Sequence, residues 1–92
     1  MRKIEWTSQF KRDFKREKKS HHQSILESAL MTVVQALAED CPLEAKCCDH
    51  TLGGRWGGCR DCHIRPDLLL IYEKEEGVLR LIRLGSHAEI GF

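Results

Sequence analysis

Ile25, Leu26, Ala29, Leu30, Val33, Val34 and Leu37 recur at spacings of one, three and four. That is the period of a helix burying one stripe, and it predicts a helix over about 21–38. Pro42 stops it. Ahead of it, residues 3–6 alternate and suit a short first strand. Thr7 or Ser8 can cap a helix start. Phe10 and Phe14 then stand four apart on one face, while Lys11, Arg12, Lys15, Arg16 and Lys18 cover the rest. This predicts a short amphipathic helix with a basic outer surface, and the two helices read as a hairpin. Residues 41–58 look irregular. Gly53, Gly54, Gly57 and Gly58 surround Trp56, so the backbone there must turn or approach something closely. The signal then becomes β. Residues 59–64 form one strand, Pro66-Asp67 marks a turn, and the unbroken apolar run from Leu68 to Tyr72 is a buried strand. Glu75-Glu76-Gly77 turns the chain into a last strand, Val78 to Leu84, which Gly85 ends. Ser86 to Phe92 is left as a tail. The sum is an α+β fold: an N-terminal strand, a two-helix hairpin, then an antiparallel β-meander with the helices on one face.

At 92 residues the chain suits one domain, spanning 1–92, with a thin core. Apolar residues at 41% and charged residues at 32% exclude a disordered chain. No apolar run approaches the ~18 residues of a membrane span. Met1-Arg2-Lys3 leads into Ile4-Glu5-Trp6 rather than an apolar signal core, so a cytoplasmic location is expected. A net charge of +1 argues for no partner by itself. Its distribution says more: residues 11–19 hold six basic residues against Asp13 and Glu17. That run is either a patch that tracks phosphates or a solvated helix face. Five cysteines, an odd count, argue against a purely intramolecular disulfide framework. In a reducing compartment they are free thiols or metal ligands.

His21 and His22, at the start of the second helix, read as surface residues. His50, in the glycine-flanked loop, His63, on the strand after it, and His87, past the last strand, sit where function concentrates. Alternation puts Asp61 and His63 on one face of strand 59–64 with Cys59, and Arg60, Cys62 and Ile64 on the other. Arg83, Gly85 and His87 share a parity if the extended geometry persists. Asp61, His63, Arg83 and His87 can therefore meet across one sheet face, with Asp67 at the turn. Phosphodiester cleavage needs such a set: a base for the 2′-OH proton, a cation for the charged phosphorane, and an acid for the departing 5′-oxygen. Histidine suits both proton roles. A rival reading is a zinc module, since Cys47 to His50 and Cys59 to Cys62 give a C-x2-H and a C-x2-C. Against it, Cys59 and Cys62 point to opposite faces of an extended strand, and buried free thiols suit several of the cysteines. Trp56 reads as a core plug between glycines.

From Asp49 to Tyr72 the chain reads DHTLGGRWGGCRDCHIRPDLLLIY. This resembles the pattern D-H-x-L-x-G-x-W-x-G-x-R-D-x-H-x-x-P-D-x-x-L-I-Y of YafQ-type toxins in the RelE/ParE superfamily. Arg83-Leu84-Gly85-Ser86-His87 resembles their R-x-G-[ST]-H. The resemblance implies a twisted sheet with an N-terminal helical hairpin. It implies an endoribonuclease, an mRNA interferase working in the ribosomal A site without metal or other cofactor. Matched residue by residue, it implies a catalytic set of His50, His63, Asp67 and His87, with Asp61 beside them and His87 as general acid. Arg83 and Arg60 would hold phosphate, Lys15 and Lys18 would contact RNA, and Phe92 would stack on a base or anchor the edge of the core. An antitoxin partner is implied, in a complex that binds operator DNA through the antitoxin. The basic first helix would face either that antitoxin or ribosomal RNA. Two departures touch base preference: Leu68 stands where many relatives carry an aromatic residue, and Phe92 is shifted by one. Gyrase inhibition by a ParE-like toxin is the alternative on the same fold, but that branch does not use a histidine and aspartate cluster of this kind.

Overall fold

The computed structural model describes residues 1–19 and 23–91, and their side chains except those of residues 23–25, Lys46, His50 and Arg55. The expected positions His21, His22 and Phe92 lie outside the described residues. Strand β1 (Lys3–Trp6) leads into helix α1 (Ser8–Glu17), then helix α2 (Gln23–Ala38). Strands β2 (His50–Thr51), β3 (Arg60–Arg65), β4 (Leu68–Glu75) and β5 (Val78–Gly85) follow, and a short helix α3 (His87–Ile90) closes the chain. The strands form one sheet in the order β1-β5-β4-β3-β2.

The meander β3-β4-β5 is antiparallel as expected, but β1 runs parallel to β5, so the sheet is mixed. The two-helix connection makes this possible, because it carries the chain back before it rejoins the sheet. Thr7 caps α1, its side chain accepting from Phe10 N–H at 3.1 Å. The same hydroxyl donates to Leu81 O at 2.8 Å, which ties the helix start to β5.

Strand β4 is central, and its residues from Leu68 to Tyr72 are all buried. Leu68, Leu70 and Tyr72 join Phe10, Leu26, Leu30, Val34 and Leu37 in the core beneath the helices. Leu69 and Ile71 face the other way and form a smaller cluster with Ile90, against which Leu52, Trp56, Cys59 and Ile82 pack. Trp56 thus plugs a core, as expected. Trp6 meets Phe10 and Phe14 edge-on at 5.1 and 5.2 Å between ring centres.

Two elements depart from the expectation. The tail is not extended: Ser86 caps α3 in a reciprocal box with Glu89, and Gly91, at φ 93°, ends it in the left-handed region. In β5, Ile71 pairs Arg83 while Tyr72 pairs Leu81, so Ile82 is one residue too many. This bulge explains why Leu79, Leu81 and Leu84 all reach the helix-side core although their spacing breaks period two.

Candidate functional site

The sheet face opposite α1 and α2 carries the residues expected to do chemistry. Strand register sets them in two rows. His50, Asp61, Ile71 and Arg83 are cross-strand partners in turn, and one residue pair along lie His63, Leu69 and Gly85. Neighbouring strands stand about 4.8 Å apart, so each row is on the order of 10–15 Å wide. Leu69 and Ile71 are the floor, and Ile90 covers them.

The His63 ring is half-buried and the His87 ring exposed. They meet edge-on, 5.9 Å between centres, with their planes at 80°. Alternation foresaw the face of Asp61 and His63. It did not foresee how His87 arrives, because the expected extended geometry stops at Gly85 and the turn into α3 delivers the ring. Asp61 is 2% exposed beside His63. Asp67 is exposed in the β3–β4 turn, two residues before the Leu69 that pairs His63. The backbone of His50 pairs Asp61, while its side chain is outside the described set.

The expected phosphate and RNA contacts divide. Arg83 lies in the first row, but its Nε donates to Asp13 Oδ2 at 2.7 Å. Arg60 shares the parity of Cys62 and turns to the helix side, where its Nε donates to Asp49 Oδ1 at 3.2 Å. Tyr72 Oη donates to the same oxygen. Together these two bonds hold the loop that precedes His50, so Arg60 sits apart from the paired histidines. Lys15 is exposed on α1 and Lys18 is exposed at its C-cap, with its Nζ 5.4 Å from the centre of the Phe14 ring. Leu68 is fully buried in the helix-side core.

Cys59 and Cys62 do not converge. Cys62 is in the helix-side core and Cys59 in the smaller cluster. Burial pushes the thiol of Cys62 well up, and burial and then Glu73 push that of Cys59 up.

Sequence reasoning passed over Asp13, Glu17 and Asp49. Phe10, Asp13, Phe14 and Glu17 follow helical spacing, so the two acids belong to the buried stripe, and both are at most 2% exposed. An acid on a buried stripe demands a cation or donors, and that was the available signal. For Asp49, removing one donor gives a measurable effect. Tyr72→Phe is expected to cost about 1.5 kcal/mol, the low end for a bond to a charged group, since water can reach Asp49. Urea unfolding reads it, and an unchanged midpoint would show that the bond carries no weight.

With this geometry in view, comparisons with known proteins give a consistent result. Residues 2–91 match the family described as bacterial toxin of type II toxin-antitoxin system, YafQ. The chain is 38% identical over 89 residues to the mRNA interferase toxin YafQ of Escherichia coli, covering 97% of this chain and 95% of that one. YafQ in the E. coli DinJ-YafQ complex superposes with a TM-score of 0.87 at 35% identity, covering both chains fully. A copper-bound mutant toxin from Helicobacter pylori gives 0.85 at 35% identity, covering 98% of this chain and 99% of that one.

Proposed function

Because the chain belongs to the YafQ family of type II toxin-antitoxin toxins, we propose that it is an mRNA interferase, an endoribonuclease that cuts messages by histidine and aspartate acid-base catalysis. The observation that carries this reading is the meeting of His63 and His87 at 5.9 Å on the face that also holds Asp61. One imidazole takes the 2′-OH proton and the other returns a proton to the leaving 5′-oxygen. His87 is the more accessible and serves as the acid. His63, with Asp61 beside it and His50 and Asp67 at the margins, serves the base side. Arg83 steadies the phosphorane charge. Arg60 acts more remotely, holding the loop through Asp49.

Substrate is a message in the ribosomal A site, and the exposed Lys15 of α1 and Lys18 at its C-cap meet phosphates of ribosomal RNA. Phe92 adds a base contact. The protein works in the cytoplasm; among the described residues no helix is long and apolar enough to cross a membrane. Its partner is a cognate antitoxin, as YafQ has in the DinJ-YafQ complex, and the pair binds operator DNA through the antitoxin.

Expression of the chain in bacteria, with mapping of new RNA ends, tests the reading. Cuts should appear within codons of translated messages and vanish when initiation is blocked. Intact messages with accumulating gyrase-DNA breaks would instead favour the ParE-like alternative. The reading also needs no metal. Protein stripped with a chelator, then freed of it, should cut at an unchanged rate; activity that returns only with zinc or copper would overturn that part.

A further inference from the structure

Strand β1 ends at Trp6, opposite Leu81, yet β5 runs on to Gly85. Past Leu81 the edge of β5 that faced β1 needs other partners, since an unmade buried bond costs about 1–3 kcal/mol. Thr7 Oγ1 reaches Ile82 O at 3.2 Å, and at Leu84 two residues one turn apart on α1 supply them. Leu84 N–H donates to Asp13 Oδ2 at 3.0 Å, and Leu84 O accepts from Arg16 Nη2 at 2.8 Å. The helix takes the part of a strand there.

The same pair reaches the site. Asp13 accepts from Arg83 Nε at 2.7 Å and from Arg16 Nη1 at 2.9 Å. Arg16 Nε lies 3.2 Å from Glu89 Oε2 in α3, and Glu89 Oε1 accepts from Ser86 N–H at 2.8 Å. Gly85 is the gap through which they meet. A Cβ there would stand 2.8 Å from Arg16 Nη2 and 3.1 Å from Glu89 Oε1. One guanidinium thus passes the end of the sheet, from the helix on one face to the turn that carries His87 on the other.

We infer that Arg16 is a positioning residue: through Leu84 and Glu89 it fixes the corner between β5 and α3, so that the His87 ring stands against the His63 ring. The catalytic meaning of this inference rests on the cleavage reading above; its geometric half rests on the ion pairs alone. Arg16 and Glu89 are each 40% exposed, and a pair so open adds little stability. Its effect is on geometry, where a shift of about 1 Å can cost as much as 10²-fold in rate.

Arg16→Ala and Glu89→Gln test it with two readouts. The first needs no activity. In wild type a nuclear Overhauser cross-peak should join the His63 and His87 ring protons, and both variants should lose most of it. The second is single-turnover cutting of a message on translating ribosomes. The saturating rate should fall about tenfold with the half-saturating ribosome concentration nearly unchanged. Placed in a His87→Ala background, Arg16→Ala should cost nothing more, because it acts through that ring. Should Arg16→Ala fail to fold, Glu89→Gln decides by the same measurements. A full-strength cross-peak in the folded variants overturns the inference, as does an undiminished loss in the His87→Ala background. A lost cross-peak in a protein whose wild type cuts no message upholds the positioning and removes the cleavage reading instead.

Discussion

Replacing His87 by alanine is expected to slow message cutting by about 10²–10⁴-fold, the usual share of a positioned proton donor or acceptor. Stability should stay within about 0.5 kcal/mol of wild type, as for an exposed position outside the core. The two halves of this expectation come from different parts of α3. The helix is held by Ile90, 2% exposed against Leu69 and Ile71, and by the reciprocal bonds between Ser86 and Glu89. The His87 ring is exposed and meets His63. Its loss therefore removes a proton carrier and leaves the scaffold standing. His87→Gln sharpens the test: glutamine keeps length and hydrogen bonding but carries no titrating proton near neutrality, so it should fail as badly as alanine. Removing His63 as well should cost much less than the product of the single losses, since residues that act as one unit are not additive. Cutting assays on translating ribosomes, paired with thermal melts, check all three variants. Wild-type cutting by His87→Ala with an unchanged melt would end the assignment.

The parts of the fold that periodicity speaks for were legible. The apolar stripe of α2 and the buried run of β4 declared themselves, because a helix stripe or a doubly covered strand needs many apolar residues in one pattern. The elements that escaped are held by few residues. β2 is only His50–Thr51. α3 buries only Ile90 among its four residues, and its one sequence signal was polar: serine followed three residues later by glutamate. The bulge at Ile82 is one extra residue in a mostly apolar strand, where alternation alone does not locate it. The same limits apply to the site. Asp61 and His63 were placed on a common face by alternation, which holds inside a strand. The same rule puts Arg60 on the opposite face, where the structure gives it Asp49 in place of the phosphate that the family resemblance implies. Strand parity brings Arg83 to the site face and says nothing of an anchor. The anchor, Asp13, is 70 residues away, and such distant pairs leave no periodic trace.

That anchor carries the largest stability effect expected in the molecule. Asp13 is fully buried, and it accepts from Arg83, Arg16, Gln9 and the N–H of Leu84. Asp13→Ala takes this partner from Arg83 and from the strand N–H of Leu84 together, while Arg16 keeps Leu84 O and Glu89. Breaking a buried pair from one side costs about 3–5 kcal/mol. A domain of this size holds only about 5–15 kcal/mol in all, so the variant should lie near the edge of folding at 37 °C. Asp13→Asn keeps the shape and should cost less while still losing the charge. The pH dependence follows from the direction of the shift. Burial by itself would raise this carboxyl, but the bonds from Arg83, Leu84 N–H and Gln9 outweigh it and hold the group below its ordinary 3.8. A carboxyl depressed on folding stabilises fully above its unfolded value, and that stabilisation is lost as pH falls toward the folded value. The gap in melting temperature between wild type and Asp13→Asn should therefore be widest above about pH 5 and narrow steadily below pH 4. A gap that stays constant down to pH 3, or that widens there, would mean that the charge on Asp13 does not hold β5 to α1.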